Sequence, residues 1–442
     1  MGRDPMATLR ASFSHFRDRA ALKAELAQIA RIRTDLLPVH ADVAAMAATA
    51  QNEGREVVLA SASDASLVQP LADHYGMGGR IFASDGHVNL KGAAKADALV
   101  AAYGEGGFDY AGNDASDMAV WRHSDTAIVV GGVSGTSKLT NVTKVSGGWA
   151  ARDLIRALRP HQWVKNVLLL LPMLAAHEFG LATLGLVLLG IAAFSAAASC
   201  IYIVNDLLDL EADRLHASKC RRPFASGAVP ITVGMVACGA LGVIALGLGA
   251  LLGGAFLLVV VTYMILSLAY SLRLKRMRWI DIAVLATLYT LRVVAGAAAS
   301  RVDASVFMLI FIFPVFITLG CVKRMTELAL ATDDERLPGR GYGRTDRGDL
   351  LNMAAIGMVG ALVIFFLYSH SAQAQVLYPT KWLMWVALIP IAGWLFRLGY
   401  LGKQDYDPIV FALRDKRGIG LLLMTLALMF YSAGIWQQLF GF

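Results

Sequence analysis

Charged residues are scarce in this chain. Asp, Glu, Lys and Arg make up 17% of its 442 residues, against about 25% in ordinary soluble domains. Cysteine is scarcer still: Cys200, Cys220, Cys238 and Cys321 are the whole supply. Three of them lie in apolar runs, and no spacing joins them as a zinc site or a disulfide framework would require. No apolar stretch follows the polar first residues, so a cleavable signal peptide is not expected. A dense basic arm is also missing. The formal net charge is +7, but the excess is dispersed over short loops, which points to membrane topology and anionic substrates and to no nucleic acid as partner.

Apolar side chains are abundant instead: 57% of residues are hydrophobic and the mean hydropathy is +0.56. They are unevenly spread. Up to about Gly147 the chain reads as soluble α/β, and from about Trp163 runs of membrane-spanning length recur. Nine can be drawn: Trp163–Ala176, Leu181–Val204, Ile231–Leu251, Gly254–Leu272, Ile280–Ala299, Ala304–Val322, Leu350–Tyr368, Trp382–Leu398 and Ile419–Trp436. One set of connecting loops is basic, with Arg214, Lys219, Arg221 and Arg222, then Arg273, Lys275, Arg276 and Arg278, then Lys323, Arg324, Arg336, Arg340, Arg344 and Arg347, then Lys403, Arg414, Lys416 and Arg417. The other set, around Glu178, Gly253, Arg301 and Gln373, is short and nearly uncharged. The positive-inside rule puts the basic loops and the front of the chain in the cytoplasm and, with nine spans, the C-terminus outside. The expected fold class is a multi-pass all-α membrane protein behind a soluble α/β domain. Residues 1–130 form that domain, 131–150 a linker rich in Gly, Ser and Thr, and 151–442 the membrane body.

The densest chemistry lies in Tyr202–Pro230. Asn205, Asp206, Asp209 and Asp213 follow the end of an apolar run, and Lys219, Arg221 and Arg222 come after them. On one helix the three carboxylates would share a face. Like charges so placed need a cation, and Mg²⁺ bound to phosphate oxygens is one that takes few carboxylates. The basic residues can hold the same phosphates from another side. The pattern reads as a diphosphate–Mg²⁺ site at a membrane surface; a solvated juxtamembrane helix is the plainer alternative.

Other polar residues accompany it. Lys165 and Asn166, in Arg159-Pro160-His161-Gln162-Trp163-Val164-Lys165-Asn166, either face that site or belong to an interfacial anchor built on Trp163. Tyr270, Arg273 and Lys275 precede Asp281 and Arg292, two ionisable residues on one face of an apolar segment, where pairing or function is expected. Lys323, Arg324 and Glu327 suggest a second phosphate or metal shell, Asp333–Glu335 a solvated acidic run, Gly339–Gly343 a flexible flap, and Asp407 and Arg414 loop charges.

In the front region, strands at Val57–Leu59, Ile81–Asp85, Phe108–Ala111 and Ala127–Val130 alternate with helices, which implies a parallel sheet with polar residues at its carboxyl ends. Ser61, Lys91 (or Lys95), Asp114 and Asp117 fall there. This order resembles the haloacid-dehalogenase-like phosphatase superfamily. The resemblance makes Ser61 the phosphate-holding hydroxyl, Lys91 or Lys95 its balancing cation, and Asp114 and Asp117 part of an acidic Mg²⁺ loop. The family's Asp-x-Asp nucleophile on the first strand is missing, and Asn113 stands where a second loop acid is usual. Without the nucleophile there is no aspartyl-phosphate, so a degenerate, inactive phosphatase site is expected.

The membrane half resembles the UbiA superfamily of intramembrane prenyltransferases through Asn205-Asp206-x-x-Asp209-x-x-x-Asp213, Arg221-Arg222-Pro223 and Tyr270–Lys275. Within it, Arg159–Asn166 and Lys323-Arg324-x-x-Glu327 are most similar to the decaprenyl-phosphate phosphoribosyltransferase branch. That resemblance implies an enzyme of the multi-pass inner membrane. It would move 5-phosphoribose from phosphoribosyl diphosphate (PRPP) to a polyprenyl phosphate with Mg²⁺, on the way to a cell-envelope arabinose donor. Asp206 and Asp209, with Asn205, would be catalytic, and Asp206, Asp209 and Asp213 would hold the metal. Substrate would bind at Lys165, Asn166, Lys219, Arg221, Arg222, Tyr270, Lys275, Arg292, Lys323, Arg324 and Glu327. Prenyl transfer to a 4-hydroxybenzoate-like acid is the alternative, but it calls for a second acidic motif where Lys323–Glu327 stands. A transporter or scaffold would instead spread its ionisable residues along a path. Oligomer formation is compatible with all of these.

Overall fold

The structure is a computed structural model that describes residues 5–15, 18–30, 33–77, 79–303, 305–329, 341–401 and 415–435. Asp333–Glu335, Arg336, Arg340, Lys403, Asp407 and Arg414 lie outside the described residues, as does the Gly339 end of the expected flap. The chain divides into two units, Met1–Ala157 with Asp206–Met235, and Leu158–Asn205 with Val236–Phe442.

The first unit holds two parallel sheets. In one, β1 (Leu59–Asp64) pairs with β2 (Ile81–Ser84); in the other, β3 (Tyr110–Gly112), β4 (Ala127–Val130) and β5 (Val142–Val145) lie in that order. Parallel neighbours need crossovers; helix Ala65–His74 lies in the β1–β2 connection and the short helix Met118–Trp121 in the β3–β4 connection. Asp64 ends β1 and caps the first helix by accepting from the Ser66 amide at 3.0 Å. Ala96, Leu99, Tyr110, Val120, Trp121, Ala127 and Val129 form a buried core, against which Ala60 and Phe82 pack. Two expectations need correction. The first strand runs through Ser61–Asp64 instead of ending before them. The expected linker contains β5, because Val142 and Val145 pair with Ala127 and Val130 and finish the sheet.

The second unit is helical. Among the described residues, seven helices of the chain are long and apolar enough to cross a membrane: Leu181–Leu208, Ile231–Leu252, Gly254–Leu272, Ile280–Ser300, Val306–Ala329, Arg344–Ser369 and Lys381–Tyr400. The first and last segments drawn from the sequence are not among them. Pro160–Leu170 winds as a 3₁₀ helix before a short α-turn at Leu171–Ala175, with Pro160 and Pro172 each removing a donor from the ladder. At the other end, Lys416–Ser432 is a helix of 17 residues. The core gathers Leu169, Phe194, Phe256, Val260, Tyr263, Ala295 and Ala299. At Gly296 the 3₁₀ segment comes so close that any Cβ would overlap the Leu169 backbone. That contact fixes the level at which Lys165 and Asn166 enter the core.

Candidate active site

The carboxylates of the Tyr202–Pro230 stretch do not lie on one helix. The Leu181–Leu208 helix stops, Asp209 (φ −92°, ψ 12°) makes the break, and a second helix runs Leu210–Leu215. Three acids on one continuous face would repel; the break lets two of them converge on a common cation. Arg222 Nη1 donates to Asp206 Oδ1 at 3.1 Å and to Asp213 Oδ2 at 2.6 Å. Both carboxylates are buried, at 2% and 3% exposure. The Arg222 loop is held in turn by Arg214, whose Nε donates to the Ala225 carbonyl at 3.2 Å. Lys219 and Arg221 are exposed and pair with no carboxylate among the described residues.

No group of three or more His, Cys, Asp or Glu is arranged to hold a metal ion among the described residues. The donor chemistry nevertheless fits a hard divalent cation. Two buried carboxylates already share one positive centre, and Asn205 Oδ1, one residue earlier on the helix, is buried with no hydrogen-bond partner among the described residues. Oxygen donors of this kind suit Mg²⁺.

In the second unit the polar residues form two clusters. Arg324 is fully buried and committed: its Nε lies 2.5 Å from Asp281 Oδ2, its Nη2 3.1 Å from Asp281 Oδ1 and 2.9 Å from the Tyr270 hydroxyl, and its Nη1 pairs with Glu327. Tyr270 also donates to Asp281 Oδ1 at 2.9 Å. This corrects the reading of Arg324 as a phosphate ligand. Its guanidinium is spent on two carboxylates and fixes Tyr270, Asp281 and Glu327 in place. Lys275 and Lys323 are half-buried. The described end of the expected flap is pinned as well, since Tyr342 is buried and its hydroxyl accepts from the Trp279 amide at 2.8 Å.

The other cluster centres on Arg292. Its Nε donates to Asn166 Oδ1 at 3.0 Å, its Nη1 to the Leu288 carbonyl at 2.6 Å and its Nη2 to the Tyr263 hydroxyl at 3.1 Å. Asn166 in turn donates to Ser195 Oγ at 2.9 Å. Lys165 and Asn166 are buried, which removes the interfacial-anchor reading for them. Trp163 remains 36% exposed, with its indole N–H on Ser199 Oγ at 2.9 Å. Asp281 and Arg292 share a helix but not a partner. The sequence reading missed Tyr263 and Ser195; the signal available was a hydroxyl inside an otherwise apolar run.

No common hydrogen-bond network among the described residues joins all four of the front residues Ser61, Lys91, Asp114 and Asp117. Asp117 is buried and saturated: Oδ1 accepts from Lys95 Nζ (3.3 Å) and Tyr110 OH (3.0 Å), and Oδ2 from the amides of Asn113 (3.2 Å) and Asp114 (3.1 Å). It anchors its turn and has no lone pair to spare for a metal, which corrects that expectation. Burial, with Asp117 beside it, pushes the Tyr110 phenol up. Asp114 is exposed, and its bonds from the Ser116 hydroxyl and amide hold its carboxyl below the ordinary value. Of the two candidate lysines, Lys95 is buried and Lys91 exposed. Ser61 Oγ accepts only from the Ser63 amide at 3.1 Å, and no hydrogen bond among the described residues joins it to Lys91, Asp114 or Asp117.

Comparison with known proteins matches residues 167–414 to the UbiA prenyltransferase family. Protein y4nM of Sinorhizobium fredii is 33% identical over 95% of this chain and 84% of its own length. Decaprenyl-phosphate phosphoribosyltransferase of Mycobacterium tuberculosis is 40% identical over 60% of this chain and 88% of its own length. A UbiA homologue from Archaeoglobus fulgidus, solved with GPP and Mg²⁺, superposes with a TM-score of 0.48 at 16% identity, over 63% of this chain and 98% of that one.

Proposed function

The chain belongs to the UbiA prenyltransferase family and is an integral-membrane transferase, and from that premise we propose that it moves 5-phosphoribose from PRPP to a polyprenyl phosphate. The observation that carries this reading is the likeness to the mycobacterial decaprenyl-phosphate phosphoribosyltransferase across most of that protein's length. Lys323, where an aromatic prenyltransferase would need an acid, agrees with it.

Asp206, Asp209 and Asp213 are the residues that would hold Mg²⁺. When bound, the ion supplies charge neutralisation on the diphosphate. Arg222 Nη1 takes only one oxygen of each carboxylate, Asp206 Oδ1 and Asp213 Oδ2, which leaves the other two for a cation, and its guanidinium would stand beside the departing pyrophosphate. Arg221 and Lys219, exposed and paired with no acid among the described residues, are assigned to the same anion, and Lys275 is assigned there from its place in the Tyr270–Lys275 stretch. An anionic oxygen of the polyprenyl phosphate attacks the anomeric carbon of the ribose. The bond from that carbon to the diphosphate oxygen breaks, and pyrophosphate leaves with the electron pair. No general base is required, because the acceptor is already ionised.

Nine spans, a cytoplasmic reaction face and a cytoplasmic front domain belong to the same proposal, as does the division into a front domain, a connector and a membrane body from about residue 151. For the front domain we propose a degenerate phosphatase fold without hydrolytic activity, since its Asp117 is saturated and its nucleophile strand is missing from the sequence.

The test is a transfer assay on purified protein in detergent with Mg²⁺. One arm holds labelled PRPP and polyprenyl phosphate, the other polyprenyl diphosphate and 4-hydroxybenzoate. Lipid-extractable label in the first arm alone, lost in Asp206→Ala, is the expected result. Product in the second arm alone would replace this reading with aromatic prenyl transfer.

A further inference from the structure

Arg292 is 4% exposed and lies within the apolar Ile280–Ser300 helix, about 18 Å along it from Ile280 at 1.5 Å per residue. A guanidinium so placed should be paired with a carboxylate, because an uncompensated buried ion costs several kcal/mol. Here it is not. Its three bonds go to an amide oxygen, a carbonyl and a phenol, and no carboxylate among the described residues pairs with it. The one acid on its helix, Asp281, is taken by Arg324. The rings of Phe194, Tyr263 and Tyr289 stand 4.9–5.7 Å from its central carbon. Such contacts are worth about 0.5–2 kcal/mol each, enough to hold the cation but not to replace an anion. A guanidinium has five N–H groups, so one on each Nη is left without an acceptor among the described residues. Lys165, also buried, lies with Arg292 in electrostatic reach of the Tyr202 hydroxyl. The cluster therefore holds two cations, several hydroxyls and an amide, and no negative charge on Arg292.

We infer that this cluster is the acceptor subsite, where Arg292 receives the phosphate monoester of the lipid. The inference rests on the phosphoribosyl-transfer reading and assigns a role within it. A phosphate monoester also occurs in PRPP, at its 5-position, so the chemistry alone fits two sources. The surroundings favour the lipid. Phe194 and Leu288, which touch Arg292, belong to an apolar core that also contains Phe256 and Val260, surroundings that suit the first isoprene unit behind a phosphate better than a ribose.

The test uses the full chain in detergent and measures binding, with polyprenyl phosphate, the corresponding polyprenol and PRPP as separate probes. Wild type is expected to prefer the phosphate to the alcohol by about tenfold or more, as a charge-assisted bidentate contact provides. Arg292→Gln is expected to bring the two within about twofold, with PRPP affinity unchanged. If Arg292→Gln keeps the wild-type preference, Arg292 is a structural pin and the inference falls. If it loses PRPP binding and keeps the lipid preference, the guanidinium serves the donor and the inference also falls. Should Arg292→Gln not survive extraction, Arg292→Lys is read in its place. A preference weakened several-fold supports the subsite, and one at the wild-type level overturns it. Because these are binding measurements, a wild type that binds polyprenyl phosphate but transfers no phosphoribose would count against the proposed reaction alone.

Discussion

At the scale of single residues, the first unit keeps Asp206 and Asp213 buried by giving both to Arg222 Nη1. The two acids are equivalent in that arrangement, so Asp206→Asn and Asp213→Asn should each slow transfer by about 10²-fold or more, as loss of charge stabilisation at a reacting diphosphate does. Each should also raise the Mg²⁺ concentration giving half-maximal rate. A Mg²⁺ titration of the transfer rate reads both effects; full rate in either variant would remove that residue from the site. Arg324 poses the opposite case, since its pairs serve the fold. Arg324→Met removes the guanidinium from the buried Asp281 carboxylate and should cost about 3–5 kcal/mol of stability. The double variant with Asp281→Leu should recover most of that, seen as restored melting temperature in detergent. The acidic motif and its basic tail were legible in the sequence because spacing alone carries them. That Arg222, not Arg221, takes the acids was not legible, nor that Arg324 is neutralised by an acid 43 residues away. Both depend on where the chain turns, and no local pattern encodes that.

Elements show the same division. Long apolar runs fix seven helices without help from context. The 3₁₀ winding of Pro160–Leu170 and the break at Asp209 escaped notice because each answers a tertiary demand. The first must pass Gly296 at backbone contact; the second must turn Asp213 back toward Asp206. In the front domain the last strand hid in a Gly-rich stretch, since Val142–Val145 is short and half-exposed and is defined mainly by its pairing with β4. The Gly296 crossing yields a prediction about the element as a whole. Gly296→Ala places a methyl group against the Leu169 backbone, an overpacking worth about 1–3 kcal/mol. It should lower the melting temperature and also transfer, because the displaced segment carries Lys165 and Asn166. Unchanged stability and rate together would mean that the two elements separate without cost.

For the molecule as a whole, the reaction proposed for it sets a condition on orientation. PRPP is soluble and multiply charged, so the Asp206–Arg222 region must face the compartment that supplies it, which in the orientation proposed from the Lys and Arg of the loops is the cytoplasm. A native cysteine reports on this without mutagenesis. Cys220 is partly exposed in the Lys219–Arg221 turn, whereas Cys200 and Cys321 are buried and Cys238 packs with its sulfur 3.4 Å from that of Cys200. A membrane-impermeant maleimide should therefore label the protein in inside-out vesicles and leave it unlabelled in right-side-out ones, and Cys220→Ser should abolish the signal. Labelling confined to right-side-out vesicles would put the acidic motif on the outer face, beyond the reach of cytoplasmic PRPP. The proposed donor would then have to be abandoned even if the fold and the acceptor subsite stood.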